Sequence, residues 1–209
     1  EAVRAALTPQ TKLVWLETPT NPLLAVSDIA AIAAVLADEF GRGAPTRPKL
    51  VVDNTFCSPY LQRPLDQGAD VVLHSTTKYI GGHSDVVGGA IVSNDAQLDE
   101  DLDFLLGGAG PIASPFDAYL NARGLKTLGV RMDRHCSNAQ AIAEFFDSRD
   151  EVATVLYPGL PQHPGHEVAK RQSTGKGFGG MISVRFHSEE AALKFCQSTK
   201  LICLAESLG

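Results

Sequence analysis

Only four cysteines, two methionines and one tryptophan occur in 209 residues. The cysteines, Cys57, Cys136, Cys196 and Cys203, lie far apart and include no C-x-x-C pair. That spacing offers neither a zinc knuckle nor a dense disulfide framework. The expectation is therefore a reducing compartment, the cytoplasm, and no bound metal. Long hydrophobic runs are also missing. The longest, residues 29–37, falls well short of the about 20 apolar residues a membrane helix needs, so no membrane partner is expected. No stretch combines a basic head, an apolar middle and a small-residue cleavage site. Positive charge is scarce: 18 Lys and Arg stand against 24 Asp and Glu, a net charge of −6. A nucleic-acid partner is not expected, because polyanion binders carry clustered positive charge. What is present is ordinary for a soluble globular chain, with 44% hydrophobic and 20% charged residues. The length suits one large domain or two small ones.

Apolar patterning places the elements. Residues 12–16 read as a buried strand, and the two prolines of residues 17–23 make a loop. Ser27 offers an N-cap for an amphipathic helix carried by Ile29, Ile32, Ala33, Leu36 and Phe40. Further strands are expected at 49–52, ending at Asp53; at 70–73, ending at His74 and Ser75; and at 88–93. This strand–helix–strand alternation indicates an α/β layer fold with a mainly parallel sheet. After Asp95 the pattern changes. Helix is expected over 98–106, and over 116–146 as one long helix or two joined near Gly124 and Gly129. Strands follow at 152–157 and 181–186, helices at 166–172 and 189–197, and a final strand at 201–204. This half reads as α+β, with a domain boundary near Leu125 dividing residues 1–124 from 125–209.

In open α/β sheets, ligands sit beyond the carboxyl ends of the strands. Two polar clusters fall there: Asp53-Asn54-Thr55 and Ser75-Thr76-Thr77-Lys78. Lys78, flanked by hydroxyls and followed by Gly81-Gly82, suits a phosphate or an imine with an aldehyde; equally it suits a surface lysine after a strand. Asp53 at the neighbouring strand end suits a protonated ring nitrogen, as a pyridoxal phosphate enzyme requires, or an Asx-turn. Ser75 and Thr77, two residues apart in an extended stretch, share one side, from which both can donate to a phosphate or cap a turn. His74 and His83 have no metal-ligand spacing and read as structural, and Cys57 reads as a buried, inert thiol.

The segment VDNTFCSPYLQRPLDQGADVVLHSTTKYIGGHSDVVGG resembles the signature region of the Cys/Met-metabolism pyridoxal-phosphate enzymes, the fold-type I transsulfuration family. LETPTNP, SPFDAYLNARGLKTLGVRM, YPGLPQHPGHEVAKRQ, GGMISVRF and LAESLG resemble the same family in register along nearly the whole chain. The resemblance implies a cofactor domain over 1–124 and a smaller C-terminal domain over 125–209, both incomplete. It implies that Lys78 is the Schiff-base lysine, that Asp53 pairs with the pyridinium nitrogen, and that Ser75 and Thr77 bind the cofactor phosphate. Asn21 would contact the ring hydroxyl oxygen. Ser207 would lie near the substrate carboxylate, and Glu206 would face the distal end of the substrate, where the β-lyase branch usually carries an aromatic residue; the Ala-Glu-Ser run thus favours γ-chemistry. The expected reaction is cleavage of the Cγ–S bond of L-cystathionine to cysteine, 2-oxobutanoate and ammonia. The alternatives are γ-replacement on an acyl-homoserine by cysteine, γ-elimination from methionine, and a non-catalytic α/β binding domain. The family's remaining cofactor and substrate contacts, and its tetramer of shared-site dimers, imply segments upstream of Glu1 and beyond Gly209. The chain reads as a fragment that is inactive alone.

Overall fold

The computed structural model describes residues 1–205. A short helix α1 (Ala2–Ala6) leads to a strand–helix–strand unit of β1 (Leu13–Glu17), α2 (Ile29–Phe40) and β2 (Lys49–Asp53). A short helix α3 (Ser58–Leu61) and a 3-10 turn (Pro64–Gln67) then carry the chain to β3 (Val71–Ser75) and β4 (Gly89–Ser93). The four strands form one sheet in the order β1-β2-β3-β4, with the first three parallel and β4 antiparallel. The mainly parallel α/β sheet expected from the patterning is present.

The reason lies in the alternation of side chains. Val14, Leu16, Leu50 and Val52 point to one face, where the Ile29 and Leu36 rows of α2 cover them together with Ala69. Ile29, Leu36, Leu50 and Val52 are fully buried there. Each such side chain contributes about 1.5–3 kcal/mol of transfer free energy, so this contact is what fixes the crossover against the sheet. The cap of α2 differs from the expectation. Asp28, not Ser27, is the N-cap, and its carboxylate accepts from Ala31 N at 3.0 Å. Ser27 is instead spent on tertiary bonds: its N–H donates to Thr18 Oγ1 at 3.0 Å, and its carbonyl accepts from Gln172 at 3.1 Å. An acid one residue closer to the helix also complements the positive end of the dipole.

The second half holds α4 (Ala96–Ala109), α5 (Pro115–Leu125), α6 (Leu128–Asp147), α7 (His166–Gln172) and α8 (Glu189–Ser198). The stretch 116–146 is two helices, and the elbow falls at Lys126-Thr127. Strands β5 (Val152–Leu156) and β6 (Ser183–Phe186) pair antiparallel as a separate two-stranded sheet. No strand forms at 201–204. Leu201 is 97% exposed and Leu204 80%, and among the described residues no neighbouring strand completes the hydrogen bonds of this apolar run. The two halves share a core cluster in which Cys57 and Leu61 pack against Leu128, Met132 and Cys136 of α6.

Candidate active site at the carboxyl edge of the parallel sheet

Register brings the polar clusters together. Glu17 of β1 lies opposite Asp53 of β2, and Asp53 lies opposite Leu73 of β3. Ser75 is two residues beyond Leu73, so it shares the face of Asp53, opposite to the face that α2 covers. One strand step of two residues separates them along the sheet, about 6.6 Å. Large apolar residues on this same face stay open, with Leu13 49%, Trp15 57% and Ile91 47% exposed.

Asp53 ends β2 with its backbone carbonyl accepting from Thr18 N at 3.4 Å and its Oδ1 accepting from Thr55 N at 3.0 Å. The Asx-turn is therefore real and takes one carboxylate oxygen. A carboxylate has about four acceptor positions, so capacity for a ring N–H remains. Thr55 in turn accepts Ser75 N at 2.8 Å through its hydroxyl, tying the two strand ends to each other. The neighbouring Asn54, fully buried, is structural. Its amide donates to the carbonyls of Ser58 and Gln62 and accepts from the Gln62 side chain, which shapes the turn into α3.

The Lys78 turn is bonded within itself. Lys78 N donates to Ser75 O at 3.2 Å, Gly81 N to Thr76 O at 2.8 Å and Gly82 N to Lys78 O at 2.8 Å. The Thr77 hydroxyl accepts from Gly88 N at 3.0 Å, while among the described residues its own proton has only the Gly88 carbonyl at 3.4 Å. That second contact is long for an O–H donor, so Thr77 caps a turn and still has a proton to give a phosphate oxygen. The Ser75 hydroxyl takes no partner among the described residues. Asn21 is exposed, and its N–H donates to Glu17 Oε1 at 3.0 Å. Because Glu17 stands at the Asp53 level, this bond brings the Asn21 loop to the same edge. Asn21, Asp53, Ser75, Thr77 and Lys78 thus gather at adjoining strand ends. Glu206 and Ser207 lie outside the described residues.

Two buried polar atoms of this edge have no partner among the described residues: His74 Nδ1 and Thr76 Oγ1. His74 lies on the face of β3 opposite Ser75, and Thr76 is buried in the turn that follows. Residue spacing alone carries no signal for either. Burial pushes the His74 imidazole below its ordinary range, with the Asp53 carboxylate pulling partly the other way. Burial acts in the same direction on His135 and His163. A histidine held neutral in the folded state binds fewer protons there than when unfolded. Its contribution to stability is complete above the unfolded value of 6.5 and is lost as pH falls below it. The thermal midpoint is expected to fall on acidification from about pH 7.5 to about pH 5.5, and His74→Gln to flatten that slope. An unaltered slope in the variant would remove His74 from the account. Cys57 is buried, with its thiol pushed up to about 12 by burial, in keeping with an inert thiol.

The residues present fit pyridoxal phosphate by their chemistry. They offer a carboxylate with spare acceptor capacity, the Ser75 hydroxyl at the end of β3, and the Thr77 hydroxyl and Lys78 in the turn that replaces the extended stretch expected through Thr77. The Thr77 proton, held among the described residues only by a 3.4 Å contact, is the observation that leaves room for an anionic ligand.

Comparison with known proteins accounts for this arrangement. Cystathionine gamma-synthase of Mycobacterium tuberculosis is 60% identical over 210 residues, which cover 100% of this chain and 52% of that protein. Cystathionine gamma-lyase of Bacillus subtilis is 49% identical over 209 residues, covering 100% of this chain and 53% of that protein. The crystal structure of metB from Corynebacterium glutamicum superposes with a TM-score of 0.93 at 67% identity, covering 100% of this chain and 52% of that one. The chain thus spans about half the length of the curated relatives it matches. The sequence pattern of the Cys/Met metabolism PLP-dependent enzymes matches residues 1–209, and the chain belongs to that family, whose cofactor is pyridoxal 5'-phosphate.

Proposed function

We propose that this chain is the cofactor-bearing part of a transsulfuration enzyme that acts at Cγ of cystathionine-type amino acids. The observation that carries the reading is the set of Asp53, Ser75, Thr77 and Lys78 at adjoining strand ends, in a chain that matches the family from residue 1 to 209. In this reading Lys78 holds the cofactor covalently. The Lys78 amine would also be placed to take the substrate's Cα proton as general base. Asp53 keeps a proton on the ring nitrogen. Ser75 and Thr77 donate to the phosphate, and Asn21 contacts the ring hydroxyl oxygen. When bound, pyridoxal phosphate supplies the sink for the negative charge that develops at Cα. Glu206 and Ser207 are assigned to the distal end and the carboxylate of the substrate on the resemblance alone. Residues 1–124 belong in this reading to the cofactor domain and 125–209 to a smaller domain of a homotetrameric, cytoplasmic enzyme.

Two reactions share these steps up to loss of the γ-substituent. Elimination releases cysteine from L-cystathionine and leaves 2-oxobutanoate and ammonia after hydrolysis. Replacement forms a Cγ–S bond to cysteine where an acyl-homoserine has lost its acyloxy group as a free carboxylate. The sequence pattern leads to elimination as the first expectation. Relatives of both names match, a gamma-synthase at 60% identity and gamma-lyases at 51% and 49%, and the higher identity is what supports replacement as the outcome to test for. The test supplies the longest gene product with pyridoxal phosphate. One vessel receives L-cystathionine and the other an acyl-homoserine with cysteine. Faster cystathionine formation in the second vessel is the expected result. Faster 2-oxobutanoate release in the first assigns elimination, and neither product overturns the function.

A further inference from the structure

The residue that follows Lys78 is gripped from the other half of the chain. Arg131, one turn into α6, donates Nη1 to the Tyr79 carbonyl at 2.8 Å. Its Nη2 donates to Gly124 O and its Nε to Thr127 Oγ1, each at 2.9 Å. All three acceptors are neutral, and among the described residues no carboxylate pairs with this guanidinium. Burial lowers its pKa. A half-buried charge with no counter-charge is a costly staple, and a neutral donor would join the same three oxygens at lower desolvation cost. The fit is nonetheless close. A Cβ on Gly82, whose φ is +67°, would lie 2.1 Å from Arg131 Nη1. A Cβ on Gly124 would lie 2.3 Å from Gly81 O and 2.5 Å from Ile80 O. Substitution at Gly124 meets backbone and would push the α5–α6 elbow off the Lys78 turn, whereas at Gly82 it would displace the Arg131 guanidinium from its acceptors. The Tyr79 side chain is held as well, through a hydrogen bond with the Gly180 backbone and a ring contact with His135 at 5.2 Å.

The 75–82 segment is tied internally by the bonds of Lys78 N to Ser75 O, Gly81 N to Thr76 O and Gly82 N to Lys78 O. Its outer anchor is the Tyr79 carbonyl. We propose that Arg131 is a positioning residue for Lys78, setting the aim of the amine through the Tyr79 carbonyl from the α5–α6 elbow. This rests on the reading of Lys78 as the cofactor lysine. Arg131 touches neither cofactor nor substrate in this role. It acts on placement, and a misplacement of about 1 Å at a reacting group costs about 10²-fold.

The test uses Arg131→Met, Arg131→Lys and a control, Asp133→Asn, in the longest gene product. Asp133 also joins α6 to the other half, accepting from the Tyr60 hydroxyl at 2.9 Å, and among the described residues makes no hydrogen bond to the Lys78 turn. Apo-protein is mixed with pyridoxal phosphate, quenched with borohydride at intervals, and digested. The phosphopyridoxyl mass on the Lys78 peptide gives a rate of capture that does not depend on turnover. Arg131→Met is expected to slow capture and lower kcat by about 10–100-fold with KM changed less than about threefold. Arg131→Lys should recover part of the capture rate, since it restores one donor and the charge. Asp133→Asn should lower the thermal midpoint without slowing capture. Capture unaltered in Arg131→Met, slowed equally in Asp133→Asn, or lost only with the folded protein in both Arg131 variants overturns the positioning role. A parent protein that captures nothing on Lys78 overturns the lysine reading, and the positioning role with it.

Discussion

Replacing Lys78 with alanine is expected to lower turnover of the longest gene product by about 10³-fold or more, equivalent to about 4 kcal/mol of transition-state stabilisation. The size follows from two functions residing in one side chain. In the proposed function, Lys78 anchors the cofactor and then serves as the base at Cα, and general-base catalysis alone is worth about 10²–10⁴-fold. The substitution should leave the fold intact. The turn around Lys78 is bonded through backbone atoms of Ser75, Thr76, Lys78, Gly81 and Gly82, which alanine retains. The measurement is steady-state turnover together with the borohydride-trapped adduct. Loss of both with an unaltered thermal midpoint is the expected result. Turnover within about tenfold of the parent would remove Lys78 from the chemistry.

Asp53→Asn is expected to cost about 10²–10³-fold in kcat, the range seen when one pre-organised electrostatic partner of a developing charge is lost. The substitution is nearly isosteric. Asn keeps an oxygen for the Thr55 N–H that Asp53 Oδ1 accepts at 3.0 Å, so the Asx-turn at the end of β2 persists. What disappears is the negative charge that keeps a proton on a ring nitrogen. The expected signature is therefore specific: capture of the cofactor on Lys78 continues, while kcat falls. A parent-like kcat would assign Asp53 to the turn alone. Lys78→Ala and Asp53→Asn together separate anchoring from electronic tuning.

The two readings of Asp53 and Thr77 raised by the sequence turn out not to compete. Asp53 is an Asx-turn residue with acceptor capacity left over. Thr77 caps Gly88 and has a hydroxyl proton in a 3.4 Å contact. Polar residues at strand ends commonly hold their own loop and face a ligand with the remaining lone pairs or protons. A pattern that reports only residue type and spacing cannot divide those tasks, because the division is set by which backbone groups come within about 3 Å.

The cap of α2 shows the same limit at smaller scale. Ser27 and Asp28 are both good N-caps, and neighbouring residues in the chain carry no information about which will be chosen. In the fold, Gln172, 145 positions from Ser27, donates to the Ser27 carbonyl and accepts the Ile29 N–H, holding the backbone around the cap in place. The expected strand at 201–204 failed for a related reason. Apolar residues at strand length indicate extended backbone only where a neighbouring strand supplies hydrogen bonds, and among the described residues none does.

Local sequence pattern was enough for β1, α2, β2, β3 and β4 in order, the mainly parallel α/β class and the polar residues at the strand ends, while the short helices α1 and α3 carried no such signal. These follow from periodicities of two and 3.6 residues and from turn chemistry, which act over a few neighbours. The family resemblance extended this to a role for each residue. Tertiary structure alone decided that Asp53 and Ser75 share a face, that the 116–146 stretch bends at Lys126-Thr127, and that Arg131 reaches back 52 positions to the carbonyl beside Lys78. Such facts depend on register and on close approach at glycines such as Gly82 and Gly124. Distances between remote segments are fixed by packing of the whole chain, and no local pattern encodes them.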